Sequence, residues 1–125
     1  MKVMNCVEES ENTLQLRAID HYRAAGYKLM KREWLVIAGD PSKGRGDLVF
    51  TKDGVDYVIE CKRKPFKNVF EQAQFYAAAW KLRHARPRRH VVYGIWTCSQ
   101  KEIIGEIRTK RLARQMCNRD ACEVI

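Results

Sequence analysis

Two short runs of strand-forming residues, joined by an Asp-Gly pair, constrain the fold more than any other part of this sequence. The runs cover residues 47–50 and 55–62, and Asp53-Gly54 stands between them. Because Asp and Gly accept the positive φ angles that tight turns require, the pattern predicts a β-hairpin. Side chains alternate along a strand, so Glu60 and Lys62 should share one face while the residues between and before them face a core. The polar pair therefore marks either a site or a solvent-facing surface.

The remaining pattern predicts a single domain with a mixed β-sheet flanked by helices. Apolar residues at helical spacing predict helices over residues 10–25, 68–84 and 110–118. Further strands are predicted over residues 27–38, 90–97 and 103–108. Three glycines and a proline predict a loop over residues 39–46. The predicted fold class is therefore α/β, in the order α-β-β-β-α-β-β-α, and 125 residues suffice for one such domain.

The charge balance favours a polyanionic partner. Lys and Arg number 24 against 15 Asp and Glu, a net charge of +9, and nucleic acid is favoured over an anionic membrane surface. No apolar run approaches the ~20 residues that span a bilayer, and the first residues lack a signal-peptide pattern. We therefore expect a soluble, intracellular protein of the cytoplasm or nucleus, with a viral or phage origin left open. The five cysteines and three histidines share no metal-binding spacing, which argues against a zinc site.

Asp47 and Glu60 are candidate ligands for a hard divalent cation, Mg²⁺ or Mn²⁺. Hydrolysis of a phosphodiester needs charge neutralisation at the phosphate, an activated water and stabilisation of the departing oxygen, which such cations can supply. Adjacent strands should bring Asp47 and Glu60 together with the backbone carbonyl of Cys61. Lys62 should lie beside Glu60, where its ammonium can hold or activate the attacking water.

Basic residues near this predicted site are candidates for contacts with DNA phosphates. These residues are Lys43, Arg45, Arg63, Lys64 and Lys67. Phosphate contacts contribute affinity without sequence information, so we expect non-specific or structure-guided binding. Solvated basic faces are the alternative interpretation of such clusters.

Over roughly residues 11–76, the sequence resembles the PD-(D/E)xK nuclease superfamily, which has a restriction-endonuclease-like core. An acid, Asp47, is followed after twelve residues by Glu60-Cys61-Lys62, as that superfamily spaces them. Gln72 and Tyr76 fit the Gln-x-x-x-Tyr signature of RecB-type exonucleases. Glu11 lies in the first helix, where Holliday-junction resolvases and virus-type replication-repair nucleases carry an additional acidic ligand.

The resemblance implies a role for each of these side chains. Asp47 and Glu60 would bind the metal, Lys62 would serve the nucleophilic water, Glu11 would complete the metal shell, and Gln72 would orient water or phosphate. Tyr76 is counted among the residues that would contact DNA. Two departures are noted: Gly46 stands where many members have proline, and Glu8, Glu9 and Gln15 compete with Glu11.

The sequence thus leads to the hypothesis of a Mg²⁺- or Mn²⁺-dependent deoxyribonuclease of DNA repair or recombination. DNA is favoured over RNA, and branched, flapped or free-ended DNA is the leading substrate class because no separate recognition module is evident. Two alternatives stay open. One is a module that binds nucleic acid on the same fold without cutting, or cuts only with a helicase or replication partner. The other is a homodimeric Holliday-junction resolvase.

Overall fold

Along the part of the chain that the structure describes, three helices and five strands follow the predicted order. The computed structural model describes residues 10–37, 39–63, 67–85, 88–97 and 101–119. The helices are α1 (Glu11–Ala24), α2 (Lys67–Arg83) and α3 (Lys110–Arg119). The strands are β1 (Lys28–Ile37), β2 (Asp40–Lys52), β3 (Val55–Cys61), β4 (His90–Trp96) and β5 (Lys101–Ile107). The mixed α/β class is confirmed, whereas the likeness to a restriction-endonuclease core stays a prediction.

The strands form one sheet in the order β1-β2-β3-β4-β5. Only the β3–β4 pair within the described residues is parallel, and α2 makes the crossover between those two strands. The predicted hairpin is confirmed, since β2 and β3 pair antiparallel around Asp53 and Gly54. Both turn residues have positive φ, 51° and 81°, as the tight turns that match strand twist require. The sheet ends at β1 on one edge and β5 on the other.

Helices cover both faces of this sheet. On one face, α1 packs Leu14, Ala18, Ile19 and Tyr22 against Leu48, Phe50, Ile59 and Cys61. On the other face, α2 and α3 pack against alternate strand residues, among them Val49, Val58 and Val91. Glu60 follows the same alternation as Val58 and is only 1 % exposed. The solvent-surface interpretation of Glu60 is therefore wrong, because α2 covers the face on which it lies.

The predicted loop over residues 39–46 is also wrong, because β2 begins at Asp40. Asp40 pairs with Ile37 on β1, and the pairing resumes at Arg45 and Leu35 after an irregularity in the register. The glycines in this segment make room for aromatic side chains. The Trp34 indole lies against Gly46, its cross-strand partner, so closely that a Cβ would overlap the ring. A Cβ on Gly44 would lie 2.7 Å from the Tyr76 hydroxyl oxygen. Gly46 thus serves close packing within a strand, which a residue with a Cβ, proline included, would prevent.

A buried carboxylate ties α2 to the sheet away from this aromatic cluster. Asp56 is 2 % exposed and accepts hydrogen bonds from Trp80 Nε1 at 2.9 Å and Arg89 Nε at 2.8 Å. A buried carboxylate without such donors would cost several kcal/mol, on the order of what a buried ion loses on leaving water. These contacts therefore fix the position of α2 over β3.

None of the helices in the described ranges combines the length and apolar character that crossing a membrane requires.

We predict that Gly46→Ala destabilises the fold by about 1–3 kcal/mol, the usual cost of forcing an extra carbon into a packed site. Urea unfolding of the variant measures the loss. In a Trp34→Leu background the same substitution should cost much less, because the overlapping indole is gone, and a double-mutant cycle isolates that coupling. Equal costs in both backgrounds would show that the indole does not limit this position.

Candidate metal centre

The β2–β3 ladder stops just before Asp47 and Glu60. The last paired residues are Leu48 and Ile59. Beyond this point β2 continues its pairing with β1 through Gly46, and β3 continues its pairing with β4 through Cys61. The two central strands therefore separate where the predicted site begins.

Two side chains replace the missing ladder across this separation. The Asp47 N–H donates to Glu60 Oε2 at 2.9 Å, and the Cys61 N–H donates to Asp47 Oδ2 at 2.7 Å. Each acid thus accepts from a backbone amide of the other strand, so neither amide is left unpaired in the interior. The reciprocal pair holds the Asp47 and Glu60 carboxylates in the gap between β2 and β3.

The gap presents oxygen ligands of the kind that Mg²⁺ and Mn²⁺ prefer. In an extended strand, the N–H and C=O of one residue point toward the same neighbouring strand. The Cys61 N–H faces Asp47, so the Cys61 carbonyl faces the same gap. Each carboxylate oxygen that accepts one hydrogen bond still has a lone pair. Asp47, Glu60 and the Cys61 carbonyl therefore fit a hard cation that keeps several of its waters.

The electrostatics of the two acids also favour a cation. Burial raises the pKa of Asp47 to about 6, against the lowering effects of the Cys61 amide and Lys62. Burial, reinforced by the neighbouring Asp47 charge, raises the pKa of Glu60 well above its usual range. Two carboxylates that share a poorly solvated space destabilise each other when both are ionised. A bound divalent charge would relieve this repulsion, and strongly shifted acids of this kind cluster at functional sites.

Lys62 and Glu11 lie close to each other at the partly exposed end of the gap between β2 and β3. Lys62 is the first residue after β3, and its N–H donates to the Trp96 carbonyl at 3.0 Å. Its Nζ lies 3.9 Å from Glu11 Oε1 on α1, with 24 % of the Lys62 side chain and 47 % of the Glu11 side chain exposed. The ammonium lowers the pKa values of both Asp47 and Glu60. The charge of Lys62 therefore acts on both acids, while its role at the attacking water stays a prediction.

Glu11 stands apart from the two buried acids as a ligand. No group of three or more His, Cys, Asp or Glu side chains is arranged for a metal ion within the described ranges. Glu11 instead contacts Lys62 and raises the pKa values of Asp47 and Glu60 through its charge. The structure thus brings Glu11 near the site without joining it to one cluster of carboxylates.

Within the described residues, Gln72 is linked to the site by its hydrogen bond to Tyr76 and not by a direct contact with Asp47 or Glu60. Its Nε2 donates to the Tyr76 hydroxyl at 3.2 Å, and the Arg45 backbone N–H donates to the same oxygen. Burial first, and then the Glu60 charge, raise the pKa of Tyr76. Tyr76 is itself buried between α2 and β2, so it forms a wall of the site and not an open stacking surface for DNA.

Two of the predicted phosphate contacts are exposed beside this site. Arg45 lies two residues before Asp47 on β2, and Arg63 follows Lys62, and both side chains are exposed. Lys64 and the side chains of Lys43 and Lys67 lie outside the described residues, so those contacts stay predictions.

From the sequence, Gln15 was only an alternative to Glu11 and Arg32 had no predicted role, yet both residues contact or support Asp47. Gln15 on α1 is 4 % exposed, and its Nε2 donates to Asp47 Oδ1 at 3.2 Å. Arg32 on β1 donates from Nε to Gln15 Oε1 at 2.9 Å. A glutamine within the buried apolar stripe of α1 was the available sign, since buried polar groups need partners. Glu33, which has a positive φ of 51° on β1, also raises the pKa of Asp47.

We predict that the two raised pKa values make the metal-free fold less stable as pH rises. The folded state binds protons at Asp47 and Glu60 more tightly than the unfolded state, so stability falls from about pH 4 upward, through about pH 6 for Asp47. Glu60→Gln should raise the free energy of unfolding at pH 7 by about 1–3 kcal/mol, since one pKa unit corresponds to about 1.4 kcal/mol.

Urea unfolding between pH 4.5 and 8 without divalent cations tests this. Glu106→Gln, the matched change at an acid that forms ion pairs with His90 and Arg108, should not raise the free energy of unfolding at pH 7, because it removes those pairs and relieves no repulsion between acids. A Glu60→Gln profile parallel to that of the wild type would show that Glu60 carries no such charge penalty.

No family model, curated protein or solved structure matches this chain. Its function is therefore inferred from the residues and geometry of the gap between β2 and β3.

Proposed function

We propose that this chain is a Mg²⁺- or Mn²⁺-dependent nuclease that hydrolyses phosphodiester bonds in DNA. The observation that carries the proposal is the pair of carboxylates, half-buried Asp47 and fully buried Glu60, held by backbone amides where β2 and β3 separate. Two acids that repel each other in a poorly solvated space reduce stability, and such an arrangement is expected where function requires it.

Asp47, Glu60 and the Cys61 carbonyl would hold the cation. When bound there, a divalent cation neutralises the phosphate and makes water more acidic. The chain supplies the rest of the chemistry. The amides of Asp47 and Cys61 fix the carboxylates in place, and α2 excludes bulk water from the Glu60 side of the sheet.

Lys62 would act at the attacking water and the phosphate. Its ammonium is partly exposed at the end of β3 and interacts with both acids. An ammonium there can donate hydrogen bonds to a water or to a phosphate oxygen and can offset the negative charge that develops during attack. Glu11, 3.9 Å away, would orient this ammonium.

DNA is the substrate that the surface favours. The chain carries a net charge of +9, and Arg45 and Arg63 are exposed beside the carboxylates, where the phosphates of a bound strand would lie. Contacts of these arginines with phosphates would carry no information about the base sequence. We therefore assign the chain to branched, flapped or free-ended DNA, with a second copy or a helicase as the partner that would add substrate selection.

We predict cleavage of DNA that requires Mg²⁺ or Mn²⁺ and stops with EDTA. The assay compares plasmid, single-stranded, flap and four-way-junction DNA. Glu60→Gln should abolish cleavage, and Lys62→Met should reduce the rate about 10²-fold or more, the usual contribution of a positioned acid–base group. Glu106→Gln should cleave like the wild type. Cleavage that persists in EDTA and in Glu60→Gln would refute the metal mechanism.

The deep burial of Glu60, at 1 % exposure, favours a second candidate, a DNA-binding module that does not cut. This module would bind the same DNA through its basic surface without requiring a cation. Thermal unfolding separates the two functions, since a cation that binds only the folded state raises the midpoint temperature. The nuclease predicts a rise with Mn²⁺ that Glu60→Gln removes, whereas the binding module predicts none.

A further inference from the structure

We propose that Gln15 and Arg32 form a positioning relay that holds the Asp47 carboxylate ready for the cation. The inference rests on the proposed function and adds two residues to its site. Both residues would act on the cation only through Asp47. Gln15 acts through Asp47, and Arg32 acts through Gln15.

Gln15 is a buried polar residue whose hydrogen bonds are directed at the site. It lies on the inner face of α1 beside Leu14 and Ala18, where the neighbouring side chains are apolar. Its amide nitrogen donates to Asp47 Oδ1 at 3.2 Å. A glutamine at 4 % exposure loses its hydration on folding, and this loss is offset only when both ends of the amide find partners.

Arg32 determines which end of the Gln15 amide faces Asp47. A guanidinium has donors and no acceptor, so it can bond only to the oxygen of an amide. Arg32 Nε donates to Gln15 Oε1 at 2.9 Å, and a second Arg32 nitrogen donates to Asn12 Oδ1 on the preceding turn of α1. With its oxygen engaged in this way, Gln15 must present its NH₂ group to Asp47.

This orientation gives Asp47 a donor at each oxygen. Oδ2 accepts from the Cys61 amide at 2.7 Å, and Oδ1 accepts from Gln15. The carboxylate plane is thereby fixed from two independent elements, β3 and α1. Each oxygen keeps one lone pair for a cation. Outer hydrogen bonds of this kind orient metal ligands, and their loss typically weakens metal affinity by about 10–100-fold.

The test measures Mn²⁺ binding to the protein without DNA. Titration followed by the electron paramagnetic resonance of free Mn²⁺ gives the dissociation constant of the wild type and each variant. Gln15→Met keeps the length of the side chain but removes the donor, and it should weaken Mn²⁺ binding about tenfold or more. Arg32→Met should weaken binding in the same direction, and Arg32→Lys, which restores a donor to Gln15 Oε1, should recover most of the affinity.

Lys28→Met is the matched control, because it removes one positive charge from the first residue of the same strand, where Lys28 pairs with Thr51. It should bind Mn²⁺ like the wild type. Circular dichroism and urea unfolding in EDTA check that each variant folds. If Gln15→Met does not fold, the Arg32→Met and Arg32→Lys pair decides the outcome, since Arg32 is only partly buried.

The outcomes separate the relay from the nuclease proposal. Weakened binding in Gln15→Met and Arg32→Met, with recovery in Arg32→Lys, supports the relay. Wild-type affinity in folded Gln15→Met, or in Arg32→Met should Gln15→Met not fold, overturns the relay and leaves the nuclease proposal intact. Failure of the wild type itself to bind Mn²⁺ overturns both.

Discussion

The separation of β2 from β3 beyond Leu48 and Ile59 is the constraint on which the candidate site depends. Where the ladder stops, two backbone amides would be left without partners inside a covered sheet. Asp47 and Glu60 accept those amides, and in doing so each acid is drawn into a space with little water. The same two hydrogen bonds that complete the sheet therefore place two negative charges side by side.

Packing on both faces of the sheet then sets the properties of those charges. On one face, α1 brings Gln15 to Asp47, and Arg32 on β1 holds Gln15 in turn. On the other face, α2 covers Glu60 and places Tyr76 against β2. Burial by these layers raises the pKa values of both acids. The fold thus brings two carboxylates that repel each other into one gap, and this arrangement is the basis of the functional proposal.

Local sequence was sufficient for most of the elements but not for β2. Apart from β2, the predicted ends lie within two residues of the observed ones, because periodicity and turn residues report directly on helices, strands and the Asp53-Gly54 hairpin. Gly44 and Gly46 led to the wrong prediction of a loop over residues 39–46, since glycine usually interrupts a strand. In the structure these glycines accept Tyr76 and Trp34, residues that are distant in sequence. Only the packed fold shows that need.

As with the fold, some residues of the candidate site could be predicted from the sequence, whereas others are evident only in the structure. Alternation along a strand and the spacing of acid and lysine are local properties, so Asp47, Glu60 and Lys62 could be selected from the sequence alone. The donors that complete the site come from α1 and β1, and their roles depend on how those segments pack. Gln15 and Arg32 are separated by 17 positions along the chain and meet through hydrogen bonds beside Asp47. No local sequence pattern predicts these hydrogen bonds, because they form only when α1 packs on the sheet.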